Sequence, residues 1–170
     1  MKKLRILILC MLVAAISAAY AQKPSKKERR LEQAAEVQEM IEAQGYKFVA
    51  QRAMPMSGRS ISLTPDFNLR VSNDTISAYL PYFGRTYVAP INPSDGGITF
   101  ESTDFNYRIE PAKKGGWTAF ITINDVKHRT EATLHITTSG STILSVNDNT
   151  RQSISFGGYI EKRKRMQTIL

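Results

Sequence analysis

Apolar and polar residues alternate with a period of two along most of this chain, and only the stretch before Gly45 follows a different rhythm. Phe67, Leu69 and Val71 interleave with Asn68 and Arg70, and Ile76, Ala78 and Leu80 with Ser77 and Tyr79. The same alternation recurs at Phe105 to Ile109, Trp117 to Ile123, Ala132 to Ile136 and Ile154 to Ile160. Each run reads as a strand with one face turned to a core. Tyr46 to Arg52, Ser60 to Leu63 and Ile98 to Phe100 complete a set of eight or nine strands. Turn chemistry separates them at Ser72-Asn73-Asp74, Asp95-Gly96-Gly97, Lys113 to Gly116, Ser139-Gly140-Ser141 and Asn147-Asp148-Asn149. Short turns between alternating strands imply hairpins. The predicted fold is therefore mainly β (α+β): an antiparallel meander curled into a barrel or sandwich behind one N-terminal helix.

That helix is written at spacings of three and four. Leu31, Ala34, Val37 and Ile41 form an apolar stripe, Ser25 and Glu28 make a capping box, and Gly45 supplies a stop. Glu28, Glu32 and Glu36 repel weakly at i,i+4 spacing, so the helix is expected to draw its stability from docking.

The first residues have another purpose. Lys2, Lys3 and Arg5 precede an apolar run from Ile6 to Ile16, and Ala19-Tyr20-Ala21 forms a small-x-small cleavage site. This predicts a secretory signal peptide over residues 1–21, cut between Ala21 and Gln22. The run is too short to span a hydrocarbon core of about 30 Å, so no transmembrane span is expected. Cys10 follows Leu9, which is too large for lipoprotein cleavage, so the exported chain is expected to be unlipidated and free of cysteine. It is placed in the periplasm or outside the cell. The remaining organisation reads as a basic segment and helix over 22–45, an antiparallel β domain over 46–161 and a basic tail over 162–170.

Charge refines the picture. The formal charge of +8 lies at the ends, with +3 in the signal, +4 over residues 22–30 and +3 over residues 161–170, leaving the body at −2. Such ends suit solvated termini or weak contact with an anionic surface, for which Lys162, Arg163, Lys164 and Arg165 are the candidates. No basic and aromatic stripe follows the strand period, so nucleic acid is not an expected partner.

Catalytic chemistry finds little footing. His135 sits on the polar face of its strand and His128 beside a turn, so neither suggests a metal site, and no cofactor is implied. No nucleophile elbow, phosphate loop, dinucleotide fingerprint or calcium loop occurs. The densest local signal is Tyr79-Leu80-Pro81-Tyr82-Phe83-Gly84-Arg85, where proline and glycine interrupt a strand amid aromatics. It reads either as a core plug at the rim of the sheet or as a ligand-binding mouth built from Tyr79, Tyr82, Phe83 and Arg85.

Leu80 to Arg85, Gly97-Ile98-Thr99-Phe100 and the closing Asn149 to Gly158 resemble domain-of-unknown-function family 4251, a group of exported envelope proteins, over roughly residues 40–161. The resemblance implies a single exported domain and carries no activity to transfer. The expected function is a non-catalytic binding module for an unknown small ligand. An envelope structural or protein-interaction role is the alternative, and a hydrolase comes third.

Overall fold

The computed structural model describes residues 25–87, 96–126 and 130–163. The predicted signal peptide with Ala19, Ala21 and Gln22, His128, and the tail residues Lys164 and Arg165 lie outside the described residues. The chain divides into two units, residues 1–31 and 32–170. The described part of the first is the start of helix α1 (Lys26–Glu42), and the second carries the rest.

Ser25 caps α1 as predicted. Its Oγ accepts the Glu28 N–H at 3.2 Å, and its own N–H donates to Glu28 Oε2 at 2.7 Å. Of the apolar stripe, Val37 and Ile41 are fully buried, Ala34 is half-buried and Leu31 is exposed. The stop lies one residue earlier than the expected Gly45. Gln44 takes the left-handed conformation (φ 47°), with its N–H on Ile41 O and the Gly45 N–H on Met40 O. This is a Schellman closure with glutamine in the position glycine usually fills.

Ten strands follow among the described residues: β1 (Tyr46–Pro55), β2 (Ile61–Ser62), β3 (Asn68–Val71), β4 (Ile76–Leu80), β5 (Ile98–Ser102), β6 (Phe105–Pro111), β7 (Trp117–Ile123), β8 (Thr130–Ile136), β9 (Ser141–Asp148) and β10 (Arg151–Lys162). They form one antiparallel sheet in the order β5-β4-β3-β1-β10-β9-β8-β7-β6, with β2 paired to the far half of β1. The sheet curls into a nearly closed barrel rather than a sandwich. The pairing is sequential except at β1, which meets β3 past the short β2 and also meets the last strand: Tyr46 lies opposite both Val71 and Lys162, and Pro55 opposite Ile154.

Strand β9 is the one the alternation missed. Its inward positions are Thr142, Leu144 and Val146, and its outward positions include Ile143, 49% exposed, so polarity and burial fall out of step. In β1, Ala50 pairs with Gly158 and Arg52 with Gly157, leaving Gln51 as a bulge. Burial accordingly shifts phase, with Tyr46, Phe48 and Ala50 inside before the bulge and Ala53 inside after it.

Nine strands make up the ladder path, and with every neighbour antiparallel the two end strands point the same way. They cannot close the barrel by an antiparallel ladder. Instead β5 and β6 are successive parts of one bent strand, joined through Thr103 and Asp104. Three Cα–Cα steps span at most about 11 Å, so this link holds the two ends of the sheet together. Asp125 Oδ2 accepts the N–H groups of Thr103 and Asp104 at 3.2 and 3.4 Å, and Asn124 N–H donates to Asp104 O at 3.0 Å. A hydrogen bond from Ser102, followed by those backbone donors, holds the Asp125 carboxyl below the usual carboxylate range.

The remaining gap along β6 is tied by two phenols. Tyr107 donates to Ile41 O at 3.2 Å, and its oxygen lies 3.2 Å from the hydroxyl of the fully buried Tyr46, which serves as the donor. Strands β1 and β6 and the last turn of α1 thus meet in one chain of hydrogen bonds. Burial pushes Tyr46 well above the ordinary phenol value and Tyr107 up to about 12. From Gln33 onward the helix lies at the end of the barrel where β8 turns into β9: Gln33 Nε2 donates to Ser139 O at 3.1 Å. Inside, Phe48, Leu69, Ile121, Leu134, Leu144 and Phe156 belong to one core cluster, each contributing about 1.5–3 kcal/mol by burial.

The close approach of β1 to β10 rests on Gly158, where a Cβ would collide with the Val49 carbonyl oxygen and stand 3.0 Å from Phe48 Cε2. At Gly157 the nearest atom to a Cβ is Met54 Cε at an ordinary 3.7 Å. Gly158→Ala is expected to destabilise the protein toward the upper end of the roughly 1–3 kcal/mol typical of overpacking. Gly157→Ala should be neutral or stabilising by up to about 1 kcal/mol. Thermal denaturation of the two variants checks the contrast; equal melting temperatures would contradict the assigned register.

Candidate functional site

Beyond Leu80 the chain leaves β4 and crosses the end of the barrel opposite α1, where it meets the β9–β10 hairpin. Gln152 N–H donates to Arg85 O at 3.0 Å, Tyr87 N–H donates to Thr150 O at 2.8 Å, and Thr86 forms a bridge with Arg151. Tyr82 is the centre of this strap. Its hydroxyl lies 2.8 Å from Arg85 O and 2.9 Å from Gln152 O, and its ring lies 5.1 Å beneath the Arg151 guanidinium. Partial burial raises its phenol pKa above the ordinary value. Gly84 allows the turn, since a Cβ there would collide with the Tyr82 phenol.

Arg151 joins three elements. Its Nη1 donates to Gly97 O at 2.9 Å at the start of β5. Its Nε lies 3.2 Å from Asp148 Oδ2, close enough for charge pairing, with the N–H off the line a hydrogen bond needs. The other Asp148 oxygen, Oδ1, accepts the Thr150 N–H at 2.8 Å and the Thr150 hydroxyl at 2.7 Å. The arginine that stacks on the rim aromatic is therefore Arg151, from a distant part of the sequence, and not Arg85. Asp-Asn-Thr-Arg at a hairpin turn is an ordinary local signal: Arg151 belongs to the Asn149 to Gly158 segment of the family resemblance, and nothing local marks it as the partner of Tyr82.

The four aromatic and basic candidates do not form one site. Tyr82 is spent on internal contacts. Phe83, 36% exposed, and Arg85 are exposed at the rim. Tyr79 lies elsewhere: because Ile76, Ala78 and Leu80 face the core, Tyr79 is on the outer face of β4. Among the tail candidates, Lys162 is the last residue of β10 and lies 3.3 Å from Glu39 Oε1, while Arg163 N–H donates to Gly45 O at 3.1 Å. Strand β10 thus ends at Lys162.

The outer face around Tyr79 is a shallow depression of about 420 Å³. Tyr79 is 53% exposed and stacks on Phe67, with centroids 5.4 Å apart and the rings 21° from parallel. The ladders place Asn68, Tyr79 and Thr99 in one cross-strand row and Arg70, Ser77 and Glu101 in the next. Asp66 completes the border. The side chains of Asp66, Arg70 and Glu101 make no hydrogen bond or ion pair among the described residues. A second depression, of about 480 Å³, is lined by Asn106, Thr122, Ile123 and Asn124 and offers no aromatic surface.

Among the described residues no three His, Cys, Asp or Glu side chains converge as a metal site, and no helix is long and apolar enough to cross a membrane. His135 is exposed, with Nδ1 3.2 Å from Thr118 Oγ1.

Comparison with known proteins places this architecture. A crystal structure of a DUF4251 family protein from Bacteroides eggerthii superposes with a TM-score of 0.60 at 16% identity, covering 76% of this chain and 87% of that one. At that identity the likeness establishes the fold alone. No curated protein matches the chain. The family described as a domain of unknown function, DUF4251, matches residues 28–160, and the chain belongs to it.

Proposed function

We propose that this protein is an exported, non-catalytic binding module whose ligand rests on the outer face of β3, β4 and β5. The observation that carries the reading is Tyr79: a half-exposed ring held in place by Phe67, in a depression bordered by charged side chains that have no partner among the described residues. A ring already fixed by stacking loses little entropy when a ligand covers it. The rim offers a weaker alternative, because Tyr82 and Arg151 have their hydrogen-bonding and stacking capacity committed to the fold.

Amide spectra recorded with three probes test the binding face: indole, zwitterionic phosphatidylcholine vesicles and neutral oligosaccharides. At least one probe is expected to shift residues 68–70, 77–79 and 99–101 together. Shifts confined to Phe83–Arg85, or none with any probe, would overturn the assignment.

Export rests on the basic start, the apolar run and the Ala19-Tyr20-Ala21 cleavage site. The intact mass of the protein recovered outside the cytoplasm should correspond to a chain beginning at Gln22 without lipid. A diacylglyceryl adduct on Cys10, or retention of residues 1–21, would contradict it.

A further inference from the structure

Resting on the proposal that the outer face of β3–β5 is the binding face, we infer that its ligand class is a neutral glycan, with one sugar ring stacked on Tyr79 and its hydroxyls shared between Arg70 and Glu101. The face carries hydrogen-bonding groups that pair with nothing among the described residues. Arg70 can only donate hydrogen bonds, Glu101 and Asp66 as carboxylates can only accept them, and Ser77 and Thr99 can do either. A ligand that satisfies all of them needs donors and acceptors distributed around its edge, together with an apolar face for the tyrosine. A pyranose ring has that combination: axial C–H groups on its faces and hydroxyls, each both donor and acceptor, around its rim.

Placement agrees with the chemistry. Arg70 and Glu101 flank Ser77 in the same cross-strand row, two strand spacings or about 9–10 Å apart at the backbone, so they face opposite edges of one ring. Tyr79 stands in the adjacent row on the same strand as Ser77, two residues along β4, and supplies the stacking surface beside that floor. The depression is shallow and open, which suits one unit of a chain lying across the sheet better than a small molecule that must be mostly enclosed. One guanidinium against two carboxylates leaves the face slightly negative, which disfavours phosphate headgroups and acidic polysaccharides.

The test is titration of the full mature chain with cello-, malto-, manno- and xylohexaose, followed by calorimetry and amide shifts. At least one hexasaccharide is expected to bind with a dissociation constant of about 1 mM or tighter, shifting residues 77–79 and 99–101. Tyr79→Ala should weaken binding about tenfold or more, while Tyr79→Phe retains it. Arg70→Ala and Glu101→Gln should each weaken it, and Phe83→Ala and Arg85→Ala should not. These side chains are exposed, so the variants are expected to fold as the wild type does, and unchanged melting curves verify that.

If indole or vesicles shift the Tyr79 face and no hexasaccharide does, the glycan inference is overturned and the binding face stands. If a hexasaccharide binds with Tyr79→Ala unimpaired, both are overturned. If none of the four binds, the glycan inference is overturned as well.

Discussion

An antiparallel sheet with an odd number of strands cannot close on itself by one more antiparallel ladder, and the architecture of this protein is a solution to that constraint. The path from β5 to β6 has nine strands, so its ends run in the same direction. Closure is achieved by bending one strand through Thr103 and Asp104, with Asn124 and Asp125 clamping the bend. The side of β6 left without a ladder is then joined to β1 and to the end of α1 by the Tyr46–Tyr107–Ile41 chain. The core depends on both devices, because Ile98, Val37 and Ile41 are buried only while β5 and the helix stay against the curled sheet.

Closure also decides where chemistry has room. At one end, polar groups are spent on the helix, through Gln33, Tyr107 and Glu39. At the other, Tyr82, Arg151 and Asp148 bind the strap to the β9–β10 hairpin. The interior is filled by side chains of the core cluster. What remains is the outside of the sheet, and there β3–β5 combine an exposed aromatic with donors and acceptors that the fold does not use. The proposed binding function follows from that division of labour.

Much of the fold was legible in the sequence because half-buried strands write themselves as alternation, and Ser25 with Glu28 wrote the start of the helix. Strand β9 was not legible, since Thr142 faces inward and Ile143 outward, against the usual match of polarity and burial. Glycine chemistry pointed to Gly45 as the helix stop, whereas the left-handed position falls to Gln44, a residue with no such preference. The candidate site was legible in part. Adjacency grouped Tyr79 with Tyr82, Phe83 and Arg85, yet the alternation of Ile76, Ala78 and Leu80 already set Tyr79 on the opposite face from the core. The placement of Arg70 and Glu101 in the neighbouring row, like the stacking of Arg151 on Tyr82, depends on strand register and long-range contact, which a single sequence does not carry.

Stability as a function of pH, compared between the wild type and Tyr107→Phe, tests the closure account most directly. Both phenols titrate higher in the folded chain than the roughly 10 of an unfolded tyrosine, so their contribution is fully present below pH 10 and is lost as pH rises toward about 12 and beyond. Every other group, Tyr46 included, is common to both proteins, so the difference between the two curves isolates Tyr107 and its coupling to Tyr46. The account predicts that Tyr107→Phe, which leaves the buried Tyr46 hydroxyl without its acceptor, is less stable by about 1–3 kcal/mol at pH 7. It also predicts that the gap narrows above pH 10. A Tyr107→Phe protein as stable as the wild type at pH 7, or a gap unchanged through pH 12, would contradict it.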